Sequence, residues 1–203
     1  MKLHWSPKSP FVRKVMMAAH ELGIADQIET VRSVAVMTKP NAAIMQDNPL
    51  SKIPTLVLGS GEAIFDSLTI CEYLDAQASG SLFPPAGPAR WTALTWHALG
   101  NGLLDLLILW RNERDKPLDK QTAAWLDAFA SKTDATLARL DGLAPSLDGT
   151  PFRIGHIAIG CALSYMDFRF ADLGWRNGHA QLAAWHASFE ARPSAKATEV
   201  IDG

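Results

Sequence analysis

The chain has 203 residues, 19 lysines and arginines against 21 aspartates and glutamates, and a net charge near −2. That length buries a real core in one large domain or two small ones, and the balanced charge offers no basic field for nucleic acid. No apolar run reaches the length needed to span a bilayer, and the six histidines show no HExxH or paired His/Cys spacing, which argues against a metal site.

Met1 to Trp5 lacks the hydrophobic region of a signal peptide and reads as the start of a strand over Leu3–Trp5. Phe11, Val12, Val15, Met16, Ala19 and Leu22 then recur at helical spacing, with Gly23 where a helix commonly stops. Ile28 to Val34 carries β-branched alternation. The connecting segment Met37–Asp47 is short and apolar, an irregular helix at most. Thr55 to Leu58 is a compact strand, and Gly59-Ser60-Gly61 turns Ala63-Ile64-Phe65 back beside it. From Ser67, Leu68, Cys71, Tyr73 and Leu74 mark another helix. The order β-α-β, connection, β-β-α predicts a small α/β layer over residues 1–79.

Residues 80–87 lie in a stretch dense in proline and glycine and read as a linker. Residues 88–203 carry almost no strand signal. Trp91 to Trp110 forms one helical pattern, about Asp119 to Leu143 a second, Ile157 to Ala171 a third, and Ala180 to Phe189 a shorter fourth. The third is apolar all round, the mark of a buried helix. The segment Arg111–Lys116, where acids alternate with bases, reads as a solvated helix end. Cys71 and Cys161 sit among apolar helical neighbours, as buried thiols rather than a disulfide, which fits a reducing cytoplasm. There is no GxGxxG and no GxxxxGK[ST], so the usual nucleotide sites have no support.

Three places can carry chemistry. Ser9 precedes Pro10, which suits a first helical position, so Ser9 is either an N-cap or a hydroxyl that donates to a bound thiolate. Lowering a thiol pKa by about two units takes roughly 2.7 kcal/mol of thiolate stabilisation. One hydrogen bond to a charged group gives about 1.5–3 kcal/mol and a helix N-terminus about 0.3–1, so a serine there suffices without a base. Ile53-Pro54 is either an ordinary trans proline before a strand or a cis bond at which the Ile53 main chain pairs with an extended peptide ligand, and spacing alone does not decide between them. Asp66-Ser67 either caps the next helix or binds the two charges of an α-amino acid end. Trp110, Arg111, Tyr165, Phe168 and Arg169 can form an apolar wall with cationic ends facing a cleft.

The motifs Ser9-Pro10-Phe11-Val12-Arg13-Lys14, Asn48-Pro49…Lys52-Ile53-Pro54-Thr55-Leu56 and Phe65-Asp66-Ser67…Tyr73-Leu74 resemble those of bacterial stand-alone glutathione transferases. The resemblance implies a thioredoxin-like N-terminal domain, a linker and an all-helical C-terminal domain. By it, glutathione is the co-substrate and no metal takes part. Ser9 holds the glutathione sulfur, Phe11 belongs to the same site, and Pro54 is cis with Ile53 pairing to the cysteinyl backbone. Lys52 lies near the glycyl carboxylate, and Asp66 and Ser67 take the γ-glutamyl end. The implied activity is conjugation of glutathione to small, mostly apolar electrophiles, in detoxification, by a cytoplasmic homodimer. Glutathione-dependent isomerisation, dehalogenation or peroxide reduction, and a non-catalytic glutathione-binding scaffold, stand as alternatives. Serine where redox-active relatives have cysteine argues against thiol transfer. One departure stands out: the buried helix of the family commonly opens Ser/Thr-Ile-Ala-Asp, and here the residues are His156-Ile157-Ala158-Ile159, which leaves the helix start in need of another cap.

Overall fold

The computed structural model describes residues 1–201, which fall into two compact units, Met1–Arg90 with the chain from Pro193 onward, and Trp91–Arg192. In the first, β1 (Lys2–Trp5), α1 (Pro10–Glu21), β2 (Glu29–Arg32), α2 (Ala42–Asp47), β3 (Thr55–Val57), β4 (Ala63–Ile64) and α3 (Ser67–Gln77) follow in order. They build a four-stranded mixed sheet of order β2-β1-β3-β4. β1 runs parallel to β2 and antiparallel to β3, and β4 is antiparallel to β3.

Leu3 and Leu56 face each other across the two central strands, both fully buried. Beneath them α1 and α3 pack together through Val12, Val15, Ala19, Ile70 and Leu74. The expected strand at Ile28–Val34 is shorter, and all four of its residues are exposed, as an edge strand allows. The apolar connection contains the one-and-a-half-turn helix α2, whose Asn41 cap accepts from the N–H of Ala43 and Ile44.

Helix α1 stops where the glycine predicts: Leu22 caps it and Gly23 takes φ +69°. It also buries two cations, Arg13 and Lys14. Arg13 donates to the Ala195 carbonyl at 3.3 Å and Glu21 bonds the Ser194 hydroxyl, so the short closing helix α8 (Pro193–Ala197) packs on α1. The segment after α3 is pinned by the buried Asp75, whose carboxylate accepts from the Leu82 and Phe83 N–H groups.

The second unit holds most of α4 (Pro88–Arg114), then α5 (Ala123–Asp148), α6 (Ile154–Arg169) and α7 (Ala180–Glu190). α6 is buried from Ile154 to Met166, as its composition predicts. It starts a turn earlier than Ile157. His156 therefore occupies the third helical position, and its Nδ1 accepts the Arg153 N–H at 3.0 Å while Nε2 lies 3.1 Å from the Leu147 carbonyl. The imidazole does the work of the acidic side chain of a capping box. Its burial holds the ring below the ordinary histidine range. α5 runs past Leu143 through Pro145, close enough to its C-terminus that one missing donor costs little. At the end of α4, Glu113 is buried rather than solvated: its carboxylate accepts from Lys116 and from the Thr122 N–H, and Lys116 holds it below the usual range.

Between α6 and α7, the fully buried His186 sits 3.1 Å from the Ser164 hydroxyl and 3.2 Å from an Arg176 nitrogen, and the Asp167 carboxylate that Arg176 holds lies 3.8 Å from the same imidazole nitrogen. Neither Cys71 nor Cys161 is disulfide-bonded, and both are buried. Among the described residues no helix is long and apolar enough to cross a membrane, and no group of three or more His, Cys, Asp or Glu side chains is placed to hold a metal.

Candidate functional site

Strand register brings three loops to one end of the sheet. His4 pairs with Thr55, so Pro54 lies beside the C-terminal end of β1, from which the chain runs to Ser9. Leu56 pairs with Ile64, so Phe65 and Asp66 emerge at that same end. The starts of α1 and α3 and the loop before β3 thus share one edge.

Ser9 caps α1 in extended conformation, and its Oγ accepts the Val12 N–H at 3.3 Å. The cap uses the oxygen as acceptor and leaves the hydroxyl hydrogen available, so capping and donation to a ligand are compatible roles of one side chain. Phe11 is half-buried on the first turn, with the Lys14 ammonium 5.6 Å from its ring centre.

The Ile53–Pro54 peptide is cis. Among the described residues, neither the N–H nor the C=O of Ile53 has a hydrogen-bond partner. Several neighbouring groups are engaged. Asn48, 1% exposed, donates from Nδ2 to the Lys52 carbonyl at 3.3 Å and to Thr55 Oγ1 at 2.9 Å, and its Oδ1 accepts the Leu50 N–H. Thr55 in turn donates to the Lys52 carbonyl at 2.9 Å. Ser51 is held at φ +52° and its Oγ accepts the Asn41 N–H. These bonds brace the loop on both sides of Ile53, whose own N–H and C=O they leave unpaired. Lys52 is exposed, with no ion pair among the described residues.

Asp66 is the N-cap of α3, Oδ1 accepting from Leu68 and Thr69 N–H groups at 3.0 and 3.4 Å. Its peptide with Phe65 is also cis. Ser67 is the first helical residue, 3% exposed, and its hydroxyl has no partner among the described residues. The other carboxylate oxygen of Asp66 remains exposed.

The five residues read as an acceptor wall divide in the second unit. Trp110 belongs to the core, buried and packed on Phe129 and Phe170 with ring centres 6.4 and 5.1 Å away. Arg111, Tyr165, Phe168 and Arg169 form a separate cluster at the ends of α4 and α6. There Arg111 Nη1 donates to the Tyr165 hydroxyl at 3.3 Å and Arg169 stacks on Phe168. Burial raises the Tyr165 hydroxyl above the ordinary phenol range. A groove along α4 and α5, lined by Ala98, Leu99, Gly102, Leu103, Lys132 and Thr136, contains none of the five.

Sequence reasoning gave Asn48 and Thr55 no role. Their link depends on a buried side chain reaching seven residues along a loop, and no residue pattern marks it.

The chain matches the model of the glutathione S-transferase N-terminal domain over residues 8–77 and that of the C-terminal domain over residues 123–188. It is 32% identical over 180 residues to YibF, an uncharacterized GST-like protein of Escherichia coli K12, an alignment spanning 86% of each chain. A glutathione transferase family member from Pseudomonas fluorescens Pf-5, solved with bound glutathione, superposes with a TM-score of 0.95 at 41% identity, covering 98% of each chain. A further structure from Pseudomonas fluorescens Pf-5, with bound S-(propanoic acid)-glutathione, gives a TM-score of 0.91 at 39% identity over 98% of this chain and 99% of that one. A small mixed-sheet domain with three loops gathered at one edge, followed by a helical domain, is the glutathione transferase fold. The protein belongs to the glutathione S-transferase family.

Proposed function

We propose that the protein binds glutathione along the Ile53 edge and transfers its thiolate to a small electrophile. The observation that carries this reading is the unpaired N–H and C=O of Ile53, in a loop braced on either side by Asn48 and Thr55. An extended peptide satisfies both groups at once, as an added strand satisfies a sheet edge. Ser67 and the exposed oxygen of Asp66 suit the carboxylate and ammonium of a γ-glutamyl end, and the Lys52 ammonium suits the glycyl carboxylate. The relatives solved with glutathione and with a glutathione thioether support the same ligand.

In this mechanism the Ser9 hydroxyl donates to the sulfur while its oxygen keeps the Val12 N–H. Stabilising the thiolate releases the thiol proton to solvent near neutral pH. The sulfur then attacks the electrophilic carbon, a C–S bond forms, and the leaving group departs with its bonding pair. No redox change occurs, which fits serine in place of cysteine. The reading extends to a cytoplasmic homodimer acting on toxic electrophiles, and light scattering tests the dimer.

The deciding experiment titrates bound glutathione by its thiolate ultraviolet absorbance and measures conjugation of a neutral aryl chloride, in wild type and Ser9→Ala. We expect the thiol pKa to rise by about one to two units in the variant, and kcat/KM at neutral pH to fall about ten- to a hundredfold. Equal titrations and equal rates would remove Ser9 from the mechanism. Glutathione binding without turnover of any electrophile would make the protein a scaffold.

A further inference from the structure

One imidazole fastens both ends of the segment that precedes the Ile53 loop. His4 lies on the central strand β1, opposite Val31 of β2 on one side and Thr55 of β3 on the other. Its Nδ1 is 2.8 Å from the Ser33 hydroxyl, where the chain leaves β2. Its Nε2 is 2.8 Å from Asp47 Oδ2, where α2 ends. The ring is 12% exposed and the carboxylate 32%. An ionised carboxylate only accepts, so Nε2 carries the hydrogen of that bond. The Ser33 hydroxyl can accept at Nδ1 while donating to the Val31 carbonyl at 3.1 Å, or donate to the ring instead.

The two ends depend on the ring unequally. Ser33 is also fixed by its main chain, whose N–H donates to the Trp5 carbonyl at 2.8 Å. The Asp47 carboxylate has no other partner among the described residues, and of the six residues of α2 only Ile44 is buried. With so little apolar burial holding this helix, the imidazole–carboxylate bond is a large share of its attachment to the sheet. Ser33 orients the ring, and the ring holds α2.

What α2 carries follows directly in the chain. Asn48, the next residue, bonds the Lys52 carbonyl and the Thr55 hydroxyl on either side of Ile53. At the start of α2, the Asn41 N–H donates to Ser51 Oγ at 2.8 Å. Both ends of the helix therefore touch the Ile53 loop, and Thr55, where that loop ends, pairs back with His4. A shift of α2 away from the sheet displaces both braces at once. Ser9, on the connection between β1 and α1, is held separately, by its own cap on α1.

We propose that His4 is a positioning residue for ligand binding: by holding Asp47 it keeps α2, and through it the Ile53 main chain, where an extended peptide can pair with it. That this peptide is glutathione rests on the transferase reading; that the ring holds α2 does not. A loop found in its binding position only about a tenth of the time raises the apparent Kd about tenfold and leaves the bound sulfur with the same neighbours.

The test combines hydrogen exchange with glutathione titration on the full chain. The Asn48 and Ser51 amides donate to the Ile44 and Asn48 carbonyls. In His4→Ala they should exchange at least about tenfold faster relative to amides of α1 and α3. Kd for glutathione should rise about tenfold, and the loss in conjugation should appear in KM for glutathione rather than in kcat. The thiol pKa of bound glutathione should not move, unlike in Ser9→Ala. His4→Gln, whose amide nitrogen can stand near the Nε2 position, should recover most of the affinity. His4→Asn, which reaches only the Nδ1 position, should not. If His4→Ala does not fold, Asp47→Ala removes the same bond from its more exposed end and should give the same pattern. Wild-type exchange in both alanine variants overturns the proposal, as does an acceleration spread evenly over the first unit. Local acceleration with glutathione bound equally well by every variant overturns the positioning role and leaves the transferase reading standing. Local acceleration in a protein that binds no glutathione in any form supports the hold on α2 and overturns the transferase reading.

Discussion

Asn48 and Thr55 are joined side chain to side chain at 2.9 Å, and the bond closes the loop that presents Ile53. Asn48 makes three hydrogen bonds from a position almost fully out of water. Replacing it with alanine leaves the Leu50 N–H without its partner and removes a donor from the Lys52 carbonyl. The cost of buried unsatisfied groups is about 1–3 kcal/mol each, so Asn48→Ala should lose roughly 2 kcal/mol or more of stability. Glutathione affinity should fall as well, because the Ile53 peptide is no longer held outward. Urea unfolding and calorimetry report the two effects separately. A destabilised variant with wild-type glutathione affinity would show that the brace serves folding alone.

Much of this was legible in the residues. The Ser9-Pro10 start and Gly23 stop of α1, the Gly59–Gly61 turn and the apolar register of α6 each rest on local rules, and the structure follows them. What escaped reading depends on distant partners. The start of α6 moved because a histidine, outside the usual capping set, takes the Arg153 N–H. Trp110 looked like a wall residue because its helical position does not reveal Phe129 and Phe170 beyond it. Arg13 and Lys14 carry no apolar signal, yet both are buried on α1, Arg13 beneath α8. At the candidate site, the residue types were plain, but only strand register shows that they share one edge.

Asp66 has two separable duties in this reading, capping α3 and meeting an ammonium. Asparagine caps a helix about as well as aspartate but carries no charge. Asp66→Asn should therefore keep stability within about 0.5 kcal/mol while weakening glutathione about tenfold, the scale of one charge-assisted hydrogen bond. Asp66→Ala should lose both, with about 1 kcal/mol of stability gone. Calorimetry with glutathione decides: wild-type affinity in Asp66→Asn would confine the residue to capping.

His156 makes stability depend on pH in a definite direction. Burial lowers its folded pKa, and the nearby Arg192 and Arg153 charges act the same way. The unfolded chain, with a histidine near about 6.5, therefore binds the proton more readily than the folded one. The ring's contribution is complete above about pH 6.5 and is lost as pH falls from there towards the folded value, with a slope of at most about 1.4 kcal/mol per pH unit. Glutamine at the same position can accept the Arg153 N–H without titrating. Urea unfolding at pH 7.5 and 5.5 should show a smaller loss on acidification in His156→Gln than in wild type. Parallel losses would mean that other groups govern the acid limb.

Two glycines on α4 should respond to alanine with opposite signs. A Cβ on Gly100 would lie 2.5 Å from the Ile159 nitrogen and 2.6 Å from the Ala158 carbonyl carbon, both backbone atoms of the buried helix α6. Neither helix can yield without shifting the core, because α4 and α6 are equally close at Gly155, where an added Cβ would lie 2.6 Å from the Trp96 Cβ. Overpacking of this kind costs about 1–3 kcal/mol, more than the roughly 1 kcal/mol that alanine gains over glycine as a helix former. Gly102, two residues on, has nothing within 4 Å of its would-be Cβ. There only the helix preference acts, so Gly102→Ala should stabilise by about 0.5–1 kcal/mol. Thermal unfolding of the pair measures the close approach of α4 and α6 directly. A Gly100→Ala variant as stable as Gly102→Ala would mean that the two helices are not in backbone contact in solution.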